Sequence, residues 1–75
     1  MRNSKEIQEL EEQIARDEQR YREIERLEDE LMQNIPQQGF KAASTEGRYR
    51  GEKAALAESI RRNRVMLAGA KSQPN

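Results

Sequence analysis

The chain has 75 residues, of which 37% are charged and 33% are hydrophobic, and its 14 acidic and 14 basic side chains cancel. A chain of this length makes one small domain at most. Because cysteine and histidine are absent, disulfides, cysteine-based zinc sites and histidine-based catalysis are excluded. The sequence has no apolar stretch of membrane-spanning length and no signal-peptide pattern at its start. We therefore expect a cytoplasmic protein with no membrane association.

Charge is segregated along the chain. Residues 1–35 carry eleven acids and six bases, a net charge of −5, whereas residues 36–75 carry three acids and eight bases, a net charge of +5. High charge with few aromatic residues is also typical of disordered chains. The regular apolar spacing described next favours two oppositely charged helices that pair.

The first half of the chain has the apolar spacing of a helix over about residues 4–34. Ser4 suits the N-terminal cap and Pro36 ends the helical segment. Asp17 and Glu28 are polar residues within the apolar pattern. The apolar residues follow a heptad pattern: Ile7, Leu10, Ile14, Tyr21, Ile24, Leu31 and Ile35. This pattern predicts a long amphipathic helix with one apolar stripe.

A turn over about residues 35–44 is predicted next, followed by a second helix over about 45–70 and a frayed tail at 71–75. Gly47 and Gly51 lower helix propensity near the predicted start of this helix. Its main apolar positions are Tyr49, Leu56, Ile60 and Leu67.

Folding the two helices back antiparallel, with the turn centred near residue 40, aligns their apolar stripes. The predicted apolar layers are Leu31 with Tyr49, Ile24 with Leu56, Tyr21 with Ile60, and Ile14 with Leu67. The predicted polar layers are Glu28 with Lys53, and Asp17 with Asn63 and Arg64. Agreement of pattern, charge and turn position predicts an all-α, coiled-coil-like antiparallel two-helix hairpin that forms a single domain over residues 1–75.

A two-helix hairpin leaves part of each apolar stripe exposed to water. Pairing of two hairpins into a four-helix bundle would bury that remainder, so we expect a homodimer. The predicted dimer-interface residues are Leu27, Ala54, Ala55, Val65 and Met66.

A group of arginines forms the strongest candidate ligand site. Guanidinium groups bind phosphates and carboxylates in a bidentate manner. Nucleic acid is disfavoured by the neutral total charge, the pI near 6.3 and the acidic first helix. We favour pairing with glutamates of the first helix over ligand binding. The anion-binding candidates are Arg16, Arg20, Arg61, Arg62 and Arg64.

A second candidate surface lies around the turn, where Phe40 is the only phenylalanine. Its side chain either caps the end of the bundle or protrudes as an anchor for a partner. Because aromatic and arginine side chains dominate binding hot spots, we consider Phe40, Lys41, Arg48 and Arg50 candidate partner-binding residues.

The sequence contains no nucleophile–base set, no metal-ligand spacing and no glycine-rich phosphate loop, so we expect no enzyme, cofactor or metal. The expected function is that of a small non-enzymatic protein-binding module, acting on a heterologous protein through helix faces and the turn. Inhibitors, adaptors and assembly factors, including those of phages and plasmids, suit this size. Two alternatives remain: a binder of an anionic ligand, nucleotide or RNA through the arginines, and a purely structural coiled-coil scaffold that forms a long parallel dimer.

Overall fold

Two long helices make up the structure. In a computed structural model, the chain is described over residues 4–33 and 40–72, with side chains from residue 43 onward in the second range. Helix α1 is Ser4–Gln33 and helix α2 is Phe40–Ser72. They pack against each other, and no strand occurs in either range. The predicted helical hairpin is confirmed, and the chain does not adopt the single extended rod that a long parallel dimer requires.

The bounds of the second helix differ from the prediction. Helix α1 is described from Ser4 onward, and α2 begins at Phe40 instead of near residue 45. Alanines at 42 and 43 are strong helix formers, and they extend α2 into the predicted turn. The rest of that turn, up to residue 39, lies outside the described residues. At its other end α2 continues to Ser72, whose hydroxyl donates a hydrogen bond to the Gly69 carbonyl at 3.1 Å.

The hydrophobic core is a narrow seam between the helices. Its buried apolar residues are Ile14, Ile24, Leu31, Ile60 and Ala70. Among the residues that the structure describes, only Ile24 is fully buried. The molecule measures 58 × 14 × 12 Å between Cα atoms, so most side chains remain near solvent. Neither described helix has a segment long and apolar enough to cross a membrane.

Polar contacts between the helices fix their alignment. Lys53 Nζ lies 2.7 Å from Glu28 Oε1, which confirms the predicted pairing of these two residues. Lys53 Nζ also lies 5.7 Å from the centre of the Tyr21 ring, within cation–π range. This polar contact lies within the apolar seam.

In the second predicted polar layer, Asp17 has a different hydrogen-bond partner from those expected, although Arg64 does lie at this level, beside Glu18. Asp17 accepts a hydrogen bond from the Ser59 hydroxyl at 2.9 Å, in place of the predicted contacts with Asn63 and Arg64. Ser59 is four residues before Asn63 and lies on the same side of α2. Its short hydroxyl reaches the buried Asp17 carboxylate, while Arg64 extends to Glu18.

Candidate functional site

A groove of about 500 Å³ opens along one side of the contact between α1 and α2. We call it the arginine groove. Its lining residues are Glu18, Tyr21, Arg22, Ala57, Ile60, Arg61, Arg64 and Val65. Ala57 follows Leu56, a core position, and its methyl group leaves the space between the helices open. The groove therefore results from a small residue at a position that flanks the core.

The floor of the arginine groove is apolar. Ile60 is buried and Tyr21 is half-buried, whereas Val65 keeps 62% of its surface exposed. Covering this floor with another apolar surface would remove it from water, at roughly 25 cal/mol for each Å² buried. The floor is thus suited to contact an apolar side chain of another molecule.

The rim of the groove is mainly basic. Arg64 reaches across to Glu18 on α1 and donates a hydrogen bond to its carboxylate. Arg61 donates two hydrogen bonds to Glu58 on its own helix, at 2.6 and 3.2 Å. These bonds lower the pKa of Glu58 and raise the pKa of Arg61. Arg22 has no carboxylate within 4.0 Å in the described part of the chain, so the rim keeps an unmatched positive charge.

The five predicted anion-binding arginines do not form one cluster. Arg61 and Arg64 line the groove, but Arg20 lies about 200° around α1 from Glu18 and therefore on the opposite flank. There it donates to Glu52 at 2.7 and 3.3 Å and to Glu23 at 2.9 Å. The hydrogen bond with Glu52 raises the pKa of Arg20.

The remaining two candidates, Arg16 and Arg62, are exposed and line no part of the groove. Arg22, which the sequence reasoning missed, takes their place beside Arg61 and Arg64. The sequence did carry a signal for this: Arg22 comes four residues after Glu18, which places both residues on the same side of α1.

Among Arg61, Arg62 and Arg64, the expected pairing with an α1 glutamate holds for Arg64 alone. Arg61 and Arg62 instead contact Glu58, three and four residues earlier on α2. Side chains at these spacings are neighbours on one helix, so the local partner is reached before one on α1.

The turn surface is only partly described. Arg50 donates to Glu46 on its own helix at 2.7 Å. Arg48 is exposed. Phe40 and Lys41 lie at the start of α2, and their side chains are outside the described part of the chain. A partner-binding role for this surface stays a prediction.

The predicted dimer-interface residues point in different directions. Leu27 is half-buried, while Val65 and Met66 are 62% and 54% exposed. Ala54 and Ala55 are exposed too. Successive helical residues are about 100° apart, so Ala54 and Ala55, like Val65 and Met66, cannot both lie at the centre of one interface. Of the five, Val65 belongs to the arginine groove.

Comparisons with protein-family models, with curated proteins and with solved structures find no match. Within residues 4–33 and 40–72, no group of three or more acidic side chains is placed to hold a metal ion. The geometry and charge of the arginine groove are therefore the basis for the function proposed below.

Proposed function

We propose that this chain is a small non-enzymatic protein-binding module of the inhibitor, adaptor or assembly-factor type, acting in the cytoplasm. The observation that carries the proposal is the arginine groove, which combines an open apolar floor with a rim of guanidinium groups. Aromatic and arginine side chains dominate the energetics of protein interfaces. Exposed apolar surface rimmed by polar groups is typical of protein-contact sites.

A third helix is the element that fits this groove. Helices pack 8–10 Å apart, and an amphipathic helix supplies apolar side chains at spacings of three, four and seven residues. Glu18 and Glu58 offset two of the three arginines, and Arg22 remains unmatched. A fitting helix therefore carries acidic side chains beside its apolar face.

Self-association into a four-helix bundle is part of this proposal. The seam between α1 and α2 buries few apolar side chains, and small domains of this kind gain stability by oligomerising. Homodimers are the commonest oligomers of soluble proteins.

Filling the groove tests the proposal. Ala57→Trp places an indole where the groove opens, whereas Ala55→Trp places the same group on α2 outside the groove. Both alanines are exposed residues of one helix, so helix propensity changes equally in the two variants. We expect tagged wild-type protein and Ala55→Trp to capture the same protein from an extract of the native host, be it a second copy of this chain or another protein, and Ala57→Trp to lose it.

Circular dichroism should show that both variants keep the wild-type helix content. Equal capture by Ala57→Trp and Ala55→Trp would overturn the proposal, because a filled groove would then make no difference to partner binding.

The convergence of Arg22, Arg61 and Arg64 on one groove favours a second candidate function, the binding of an anionic ligand, nucleotide or RNA. Titration with short RNA and with a nucleoside triphosphate at low salt tests it. This function requires binding that weakens steeply with added salt and is lost in Arg61→Ala/Arg64→Ala. Absence of binding at low salt would exclude it.

A further inference from the structure

The arginine groove lies on a wider face where, apart from Arg22 on α1, the acidic and basic side chains form separate rows. Residues seven apart stay on one flank of a paired helix, so each row follows the heptad. We call this surface the groove face, and it consists of the groove together with an acidic row on α1 (Glu11, Glu18 and Glu25) and a row on α2 (Arg50, Ala57, Arg64 and Lys71). Two contacts show that the rows share one flank: Arg64 with Glu18, and Lys71 with Glu11 at 3.2 Å.

The opposite flank lacks this separation of charge. There the basic residue Arg20 is on α1 and the acidic residue Glu52 is on α2, and they are joined at 2.7 Å. Its neighbours Gln13 and Ser59 are neutral and bind Asp17. The groove face combines an acidic row, a basic row and an open apolar floor.

We propose that the partner bound at the arginine groove is a second copy of this chain. Two hairpins pack through their groove faces into a four-helix bundle, with α1 of each copy lying on α2 of the other. The proposal rests on the protein-binding function proposed above and names its partner.

Two symmetric ways of packing the groove faces are possible, and the charges favour the one in which α1 lies on α2 of the other copy. A two-fold axis parallel to the helices places the acidic row of each copy on the basic row of the other. A two-fold axis across the helices would instead place acids on acids and bases on bases. An isologous interface needs a self-complementary patch, and two parallel rows of opposite charge provide one. Because like charges in contact disfavour the alternative, the bundle has one preferred orientation.

The shape of the hairpin suits side-by-side packing of two copies. The rows of the groove face run along its longest dimension, 58 Å between Cα atoms, so two copies can pack over several helical turns. In the bundle, Tyr21, Ala57 and Val65 would join the interior and extend the narrow seam of the single hairpin. The second copy thus supplies the apolar burial that one hairpin lacks.

Charge reversal tests the arrangement on the purified full chain. Arg61→Glu/Arg64→Glu makes the groove face acidic, and Glu11→Lys/Glu18→Lys makes it basic. Each variant should dissociate to monomer, with a dimer dissociation constant raised by at least about tenfold, while an equal mixture of the two should form a heterodimer. Arg48→Glu/Arg62→Glu reverses the same number of charges outside the groove and should remain a dimer.

Sedimentation equilibrium measures the association, and circular dichroism checks the fold of each variant. The neutral variant Arg61→Gln/Arg64→Gln introduces no repulsion with Glu18 and should weaken the dimer by a smaller factor. If a charge-reversed variant loses its helices, this neutral variant and the mixture provide the test.

Two results would overturn the proposed dimer. One is a wild-type chain that stays monomeric up to about 0.1 mM. The other is a dimer that neither charge reversal weakens, which would place the interface on another face. In either case, the protein-binding function would still be supported if the wild-type chain captures a host protein and Ala57→Trp does not. Absence of both self-association and capture would overturn both proposals.

Discussion

At the scale of single residues, Asp17 is a buried carboxylate within the apolar seam. Its two oxygens accept hydrogen bonds from Gln13 at 3.0 Å and from Ser59 at 2.9 Å. Burying a carboxylate costs free energy that such bonds offset only in part. A polar contact inside an apolar seam does, however, disfavour helix alignments that would leave the carboxylate unpaired. Asp17 and Ser59 therefore help to set the level at which the helices face each other.

Ser59→Ala should destabilise the hairpin by about 1–2 kcal/mol, because it leaves Asp17 with a single donor. Adding Asp17→Leu should recover that loss, since no buried carboxylate then remains. Urea unfolding measures both effects, and Ser44→Ala, at an exposed residue of α2, serves as the control. An unchanged free energy of unfolding in Ser59→Ala would show that the bond contributes nothing.

Two ion pairs predict opposite pH limits of stability. The hydrogen bond from Arg61 lowers the pKa of Glu58 below its usual 4.5, and the bond to Glu28 raises the pKa of Lys53 above its usual 10.5. The ion pair of Glu58 therefore stabilises the fold above pH 4.5, and this stabilisation is lost as the pH falls through the lowered pKa of Glu58. The ion pair of Lys53 stabilises the fold below pH 10.5, and this stabilisation is lost as the pH rises through the raised pKa of Lys53.

We therefore expect the thermal midpoint, followed by circular dichroism, to fall in acid and again in strong alkali. Glu58→Gln should reduce the acid dependence, and Lys53→Met should reduce the alkaline one. Profiles of both variants that run parallel to the wild type at every pH would contradict this assignment.

At the scale of the helices, α2 contains glycines at positions where alanine would fit. An added Cβ at Gly47, Gly51 or Gly69 would meet no atom within 4 Å. The hairpin itself has no contact that requires these glycines. They lower helix stability by up to about 1 kcal/mol each relative to alanine.

Gly51→Ala should raise the free energy of unfolding by up to about 1 kcal/mol. Ala54→Gly, at another exposed position of α2, should lower it by a similar amount. Urea unfolding measures both changes. A loss of stability in Gly51→Ala would show that Gly51 makes a close contact that the hairpin alone does not contain.

The two helices differ in how far their sequences predicted them. The body of α1 was predicted because the heptad pattern runs regularly through Ser4–Gln33. The start of α2 was not, because Gly47 and Gly51 suggested a late beginning, while the alanines before them extend the helix to Phe40. The helix propensity of the residues in this first turn therefore outweighed the unfavourable effect of the two glycines.

At the scale of the whole molecule, stability depends on a thin core. Ile24→Ala truncates a fully buried side chain of this core and should cost about 2–5 kcal/mol. A small domain has little stability to spare, so cooperative thermal unfolding should be lost or its midpoint should fall sharply. Met32→Ala, at a residue 59% exposed, should change the midpoint little. Equal midpoints for the two variants would place the core elsewhere.

The arginine groove shows the limit of sequence-based prediction. Arg61 and Arg64 were recognised as candidates from their type and spacing, but Arg22 and Ala57 were not. A groove depends on which side chains leave space between helices, and an alanine that flanks the core gives no such signal in the sequence. The choice of Glu58 over α1 acids as partner of Arg61 likewise depends on side-chain geometry.

The sequence by itself determined that the chain forms two helices, that they pair antiparallel, and that Glu28 meets Lys53. Heptad spacing, helix propensity and the −5 and +5 halves are properties of the order of residues, so they can be read without coordinates. Only the tertiary structure decided that Ser59 binds Asp17, that Arg20 and Arg64 lie on opposite flanks, and that a groove opens at Ala57. These features depend on the reach and volume of side chains packed across the seam, which spacing along the chain does not specify.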